Sequence, residues 1–205
     1  MGRAPSLCGV ILSAGTSTRM GRDKALLPWP PTATTGETLL SAAIRSLASE
    51  TEIVFVVAGA NASRIAPVIY AQGASLVENP DPARGQFSSL QVGLQAVLSH
   101  GRDAAVVTLV DRPPVQQATL RALLLAFEQT LNARKWAAVP EFSGKHGHPI
   151  LVAREMIEAF LHAPSESNAR EVEHSHQELI DYVAVQDPLV TLNVDTPEDY
   201  AALSA

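Results

Sequence analysis

A chain of 205 residues with 46% apolar and 18% charged side chains is long and apolar enough to bury a sizeable core, which excludes a disordered polymer. Its formal net charge of −6 argues against a general nucleic-acid binder. The one cysteine, Cys8, excludes an internal disulfide and, with no apolar leader in residues 1–6 and no membrane-length apolar run, gives the expectation of a cytoplasmic, single-domain protein away from membranes.

Val10-Ile11-Leu12 is an apolar run closed by turn residues and predicts a buried strand. It opens into Ser13-Ala14-Gly15-Thr16-Ser17-Thr18-Arg19-Met20-Gly21-Arg22-Asp23-Lys24. Glycine lets backbone N–H groups approach a ligand closely, and successive N–H groups in a turn form an anion-binding concavity. Arg19, Arg22 and Lys24 add fixed charge and donors for phosphate oxygens. The chain has three lysines, Lys24, Lys135 and Lys145, so a lysine here is a selective placement. On residue types alone, a Gly/Ser/Thr-rich surface loop with scattered charges reads equally well. Neither G-x-x-x-x-G-K-[ST] nor G-x-G-x-x-G is present.

Residues 25–28 read as extended and 28–36, with three prolines and three threonines, as an exposed loop. A helix is predicted over 37–47, a buried strand over 53–57, a helix over 61–70 and a short strand over 75–77. Asn79-Pro80-Asp81-Pro82 breaks the chain before a helix marked by Phe87, Leu90, Leu94, Val97 and Leu98. A strong central strand over 105–110 stops at Asp111-Arg112-Pro113-Pro114. Leu120, Leu123, Leu124, Phe127 and Leu131 mark the next amphipathic helix. Strands over 137–139 and 149–152, a helix over 155–161, an acidic segment, and strands over 183–185 and 189–194 follow. Thr196-Pro197-Glu198-Asp199 supplies the N-cap, first-position proline and first-turn acids of a last helix. Strands alternating with helices imply an α/β, three-layer Rossmann-like fold around a mostly parallel central sheet. Its ligands sit beyond the carboxyl ends of the strands, the edge at which the basic loop and Asp111 both emerge.

A carboxylate at Asp111, facing a polyphosphate loop, suits Mg²⁺, which takes one or two carboxylates plus substrate phosphates and water. The structural alternative for Asp111 is an N-cap of the helix that follows near Val115. Asp195 is a second metal carboxylate or a structural turn residue. Ser88 and Ser89 stand where a polar pocket or a helix cap would use them, and Asn61 is a weaker pocket candidate. His146 and His148, and likewise His174 and His176, could share a strand face and raise a zinc reading, but no third ligand is evident near either pair.

The stretch Leu12 to Lys24 resembles the nucleotide loop of the MobA-like NTP transferases, L-[AS]-[AG]-G-x-[ST]-x-R-M-G-x-x-K, without a gap. Asp111-Arg112-Pro113 fits that family's D-x-P motif; Asn79, Gly85 and Ser88 fit N-x(5)-G-x-x-S; Gly147-His148-Pro149 fits G-H-P. Asn193-Val194-Asp195-Thr196-Pro197-Glu198-Asp199-Tyr200 resembles D-x-D-T-P-E-D-Y, with Asn193 in place of the first acid. The resemblance implies a nucleotidyltransferase. In it Leu12, Ser13, Ala14, Gly15, Asn79, Ser88 and Ser89 hold the nucleotide and Arg19 and Lys24 grip the triphosphate. Asp111 and Asp195 carry Mg²⁺, and His148 lies on the acceptor side. Ser13-Ala14-Gly15 is closer to the pattern of members using CTP than to that of members using GTP. The implied reaction is therefore CMP transfer from CTP to molybdopterin, the product passing to a molybdoenzyme. Ala169-Arg170 is kept from a molybdopterin-side motif whose glycines are missing, so an acceptor such as a sugar or alditol phosphate stays open. A nucleotide-binding chaperone of a molybdoenzyme is the non-catalytic alternative.

Overall fold

In the computed structural model, which describes residues 6–33 and 36–204, β1 (Leu7–Ser13) is buried along its length beyond Leu7. Its alternation feeds two cores: Cys8, Val10 and Leu12 enter one apolar cluster, Ile11 the other. That two-sided burial is why its sequence is nearly continuous in apolar residues. After β1 come α1 (Leu39–Ala48), β2 (Ile53–Ala58), α2 (Ala62–Ala71), β3 (Ser75–Glu78), α3 (Gln86–Ser99), β4 (Ala104–Leu109) and α4 (Gln117–Asn132). The second half adds β5 (Ala137–Phe142), β6 (Lys145–His146), β7 (Ile150–Ala153), α5 (Arg154–His162), α6 (Ala169–Ser175), β8 (Ile180–Ala184) and α7 (Pro197–Ala202).

The strands run β3-β2-β1-β4-β7-β5-β6, with β8 also on β5. Leu40, Ile44, Ile65, Ile69, Leu120 and Phe127 cover one face from α1, α2 and α4. Phe87, Leu90, Leu94, Met156, Phe160 and Val172 cover the other from α3, α5 and α6. The three layers expected from the sequence are present. Gly93 lets α3 lie close on the sheet, since a methyl there would stand 2.7 Å from Val10 Cγ1 and 2.9 Å from Val57 Cγ2. Among the described residues, no helix is long and apolar enough to cross a membrane.

Two strands, β6 and β7, depart from the parallel pattern. β7 is antiparallel to β4, with Val107 opposite Ile150 and Ala104 opposite Ala153. The cause is the Ser143-Gly144 turn between β5 and β6, where φ is +50° and +73°. A two-residue loop with both φ positive is the hairpin turn that matches strand twist, and it reverses the chain. β7 therefore begins, rather than ends, at the edge where β1 and β4 finish.

Three local expectations are corrected. Residues 25–28 are extended only in their second half: a 3-10 turn spans Lys24–Leu26, capped by Asp23, which accepts from Ala25 N at 3.1 Å, and Leu27 and Pro28 then run extended into a bridge with Thr38. Residues 189–194 are not a strand: Asp187 accepts from Leu189 N at 3.0 Å and, with Pro188, starts a 3-10 turn, Pro188–Thr191. The strand expected at 183–185 starts earlier, at Ile180. Of the loop expected over 28–36, residues 34 and 35 lie outside the described residues, as do residues 1–5 of the 1–6 segment. A third apolar cluster, Met20, Leu27, Leu39, Val194 and Tyr200, packs the C-terminal turn against the basic loop.

Candidate active site

The basic loop leaves β1 at Ser13, and residues 14–17 enter neither helix nor strand. Ser17 takes a left-handed conformation, φ +51°, and starts a 3-10 turn, Thr18–Met20, that Gly21 ends at φ +69°. Lys24 N then donates to Ser17 Oγ at 3.2 Å, which folds the loop back on itself. Asn61 braces this bend from α2: its Nδ2 donates to Ser13 O at 2.9 Å and to Asp23 Oδ2 at 3.1 Å, and its Oδ1 accepts from Gly59 N at 3.2 Å. All of its polar atoms are engaged, so it supports the pocket rather than lining it. Gly59 is needed beside it, because a methyl there would meet Ala14 O at 2.9 Å and Pro82 at 3.1 Å.

Opposite the loop, β4 delivers Asp111. Asp111 O accepts from Val194 N at 2.8 Å, so the next residue, Asp195, is set beside it. Lys24 Nζ donates to Asp195 Oδ1 at 2.8 Å and to Asp111 Oδ2 at 3.5 Å; Arg19 Nη2 reaches Asp195 Oδ1 at 3.2 Å. Lys24 is itself 8% exposed. Its hydrogen bond holds the Asp195 carboxyl below the usual range, with the charges of Lys24 and Arg19 adding to the effect. Asp111 Oδ1 is buried and has no protein partner. Buried acceptors are normally satisfied, so this oxygen is available to a ligand. These side chains wall a cleft of about 490 Å³. Among the described residues, no group of three or more His, Cys, Asp and Glu side chains is arranged to hold a metal. Two carboxylates beside an open cleft match a magnesium-type site completed by phosphate and water, not a closed zinc cage. The zinc reading also fails locally: His148 Nδ1 lies 3.4 Å from Val107 O, and the His146 ring stacks on Tyr182.

Leu12, Ser13, Ala14, Gly15, Arg19, Lys24, Ser89, Asp111 and Asp195 all line the cleft. Asn79 and Ser88 do not. Asn79 Nδ2 donates to Ser88 Oγ at 2.9 Å and Ser89 Oγ at 3.0 Å, while Ser88 Oγ donates to Gly85 O at 2.8 Å. This pair ties the 79–85 segment to the start of α3 and sets the cleft wall, instead of reaching into it. The wall itself is Pro82, Ala83, Gly85 and Gln86, which residue-level reasoning missed apart from Gly85. At φ +92° and ψ −177°, Gly85 has a backbone conformation essentially restricted to glycine.

His148 also stands outside the cleft-lining residues. Its backbone N–H donates to Val190 O at 2.8 Å. Burial pushes the imidazole down to about 4, and the neighbouring Arg112 guanidinium adds to the shift. Arg112 is itself lowered by burial, and its Nη1 donates to Val190 O at 3.3 Å. The unfolded chain thus takes up the His148 proton first as pH drops. Stability is expected to fall between pH 6.5 and about 4, and His148→Gln to flatten that part of a thermal-denaturation profile.

A family model described as the MobA-like NTP transferase domain matches residues 9–179, which takes in Lys24 and Asp111. The molybdenum cofactor cytidylyltransferase of Escherichia coli K12 is 25% identical over 195 residues, 93% of this chain and 92% of that protein. A probable molybdenum cofactor guanylyltransferase of Rhodopirellula baltica is 32% identical over 126 residues, 62% of this chain and 58% of that protein. Among solved structures, Rv0371c of Mycobacterium tuberculosis H37Rv superposes with a TM-score of 0.79 at 28% identity over 98% of each chain. A complex of Rv0371c with manganese superposes at 0.74 with 27% identity over 97% of each chain. The matched span covers the basic loop, Asp111 and most of the sheet that brings them together, and the chain belongs to the MobA-like NTP transferase family.

Proposed function

We propose that this protein transfers CMP from CTP to molybdopterin, with release of pyrophosphate. The observation that carries the reading is the meeting of Lys24 with Asp111, 87 positions apart, inside one cleft. Loop N–H groups, Arg19 and Lys24 bind the triphosphate. An oxygen of the acceptor phosphate attacks the α-phosphorus; a new P–O bond forms there, the bond to the bridging oxygen breaks, and pyrophosphate takes the electron pair. A phosphate nucleophile is already anionic, so the protein needs no strong general base, and its work is positioning and charge neutralisation. Asp111 and Asp195 are the residues that would hold Mg²⁺, which supplies charge neutralisation to the phosphates when bound. The manganese complex of Rv0371c supports a divalent ion in this role. CTP is favoured by Ala14 in Ser13-Ala14-Gly15, where the GTP-using pattern has a glycine.

Pyrophosphate release measured with each NTP and Mg²⁺, with and without molybdopterin, tests the proposal. The expected result is release that depends on molybdopterin and is faster with CTP than with GTP. GTP turnover at least as fast as CTP overturns the nucleotide assignment. Nucleotide binding with no pyrophosphate on adding molybdopterin overturns the transfer.

A further inference from the structure

Away from the cleft, the rings of His146 and Tyr182 stack at a centroid distance of 4.0 Å and an interplanar angle of 11°. Both are open to solvent: Tyr182 is 41% exposed and the His146 side chain 51%. Neither belongs to an apolar core cluster of the described residues, so the pair is not there to fill the interior. Beside it stands the Glu141 carboxylate, with Oε2 3.5 Å from His146 Nε2. We propose that the His146–Tyr182 stack, with Glu141 at its side, is the seat for a flat heteroaromatic ring on the acceptor substrate. This rests on the transferase reading above and narrows it to one substrate class.

Topology puts this pair where an acceptor must lie. β7 is antiparallel to both β4 and β5, so β5 runs parallel to β4 and finishes at the same edge as Asp111. Glu141 is at that finish, and His146 is directly opposite it on β6. The face follows from the two-residue alternation of strands. Glu141 alternates with Val139 and Ala137, and Tyr182 with Ile180, all three of these apolar residues belonging to the cluster under α3 and α5. The cleft wall at Gln86 and Ser89 comes from α3, on that same face. Neighbouring strands are about 4.8 Å apart, which sets β5 roughly 10 Å and β8 roughly 14 Å from β4. An acceptor joining a ring to a phosphate through a short side chain spans such a distance.

The chemistry selects the ring. An open pair of stacked rings offers a further π-face, and offset stacking of a third ring adds to plain area burial. A carboxylate at the rim accepts two N–H bonds at once, the pattern presented by a 2-amino-4-oxo pyrimidine edge. A bicyclic pterin-type ring carrying a phosphate meets all three requirements. A sugar or alditol phosphate has no aromatic ring for offset π-stacking and no such N–H edge.

The test is fluorescence titration of the full chain with 6-hydroxymethylpterin, beside the pyrophosphate assay with CTP and molybdopterin. His146→Ala and Tyr182→Ala are expected to weaken pterin binding and to raise the KM for molybdopterin, each by about tenfold, as loss of one stacking partner implies. The KM for CTP and the circular dichroism spectrum should stay unchanged, and Tyr182→Phe should restore binding. Wild-type protein that fails to bind the pterin, or alanine variants that bind it as well as wild type, overturns the seat. An equal rise in the KM for CTP also overturns it. Absence of pyrophosphate release from wild type sinks the transfer reading instead, and the pterin titration still decides the seat.

Discussion

Replacing Asp111 with asparagine is expected to lower kcat for pyrophosphate release about a thousandfold, the scale of losing one pre-placed charge at a phosphoryl centre. The fold should barely notice. The contact that Asp111 gives the architecture is its backbone oxygen, which accepts from Val194 N and survives the change. Its carboxylate gives less: Oδ2 is 3.5 Å from Lys24 Nζ, and Oδ1 has no protein partner. Lys24 keeps its shorter bond to Asp195, 2.8 Å, so the substitution strands no buried charge. Asp187 is the opposite case. It is 2% exposed and accepts from Gln116 N, Thr119 Oγ1 and Leu189 N, so its charge is consumed by the fold. Pyrophosphate release set beside a thermal melt separates the two behaviours. Asp111→Asn activity within tenfold of wild type would remove Asp111 from the chemistry.

Much of this arrangement was legible because its signals are local. Continuous apolar runs mark β1, β2 and β4, and helical spacing marks α3 and α4, so the alternation that implies a mostly parallel sheet is written along the chain. The positions of Lys24 and Asp111 at the strand exits follow from that order alone. What was not legible depends on direction and on distance. The reversal of β7 turns on the Ser143-Gly144 dipeptide, a readable hairpin signal that the apolar runs around it overshadowed. The 189–194 segment has strand-like composition, but Asp187 and Pro188 spend it on a 3-10 turn that reaches back to His148. Motif spacing identified Asn79 and Ser88 without saying which way their side chains point, and burial turned them inward. Asn61 joins Ser13 and Asp23 across 48 and 38 positions, a contact that no local pattern announces.

Gly147→Ala is expected to be the most damaging small substitution, costing about 2–4 kcal/mol of stability. A methyl at this position would stand 2.0 Å from Val190 O and 2.6 Å from Val190 C. Both are backbone atoms, so no rotamer change relieves the clash and the main chain must move. Val190 O is also where three segments converge: it accepts from His148 N at 2.8 Å and from Arg112 Nη1 at 3.3 Å. Displacing it loosens the start of β7, the Asp111-Arg112 turn and the 188–191 turn together. Four residues beyond Val190, Val194 N holds Asp111 O, and the next residue is Asp195. The G-H-P motif therefore serves the spacing of the two carboxylates through its glycine, whatever its histidine does for the acceptor. Two measurements separate this from simple destabilisation: the melting temperature, and the Mg²⁺ concentration for half-maximal pyrophosphate release at a temperature where the variant is fully folded. A lower Tm together with a raised Mg²⁺ requirement is the expected pair. A lower Tm with an unchanged Mg²⁺ requirement would show that the Val190 junction supports the fold without setting the carboxylates.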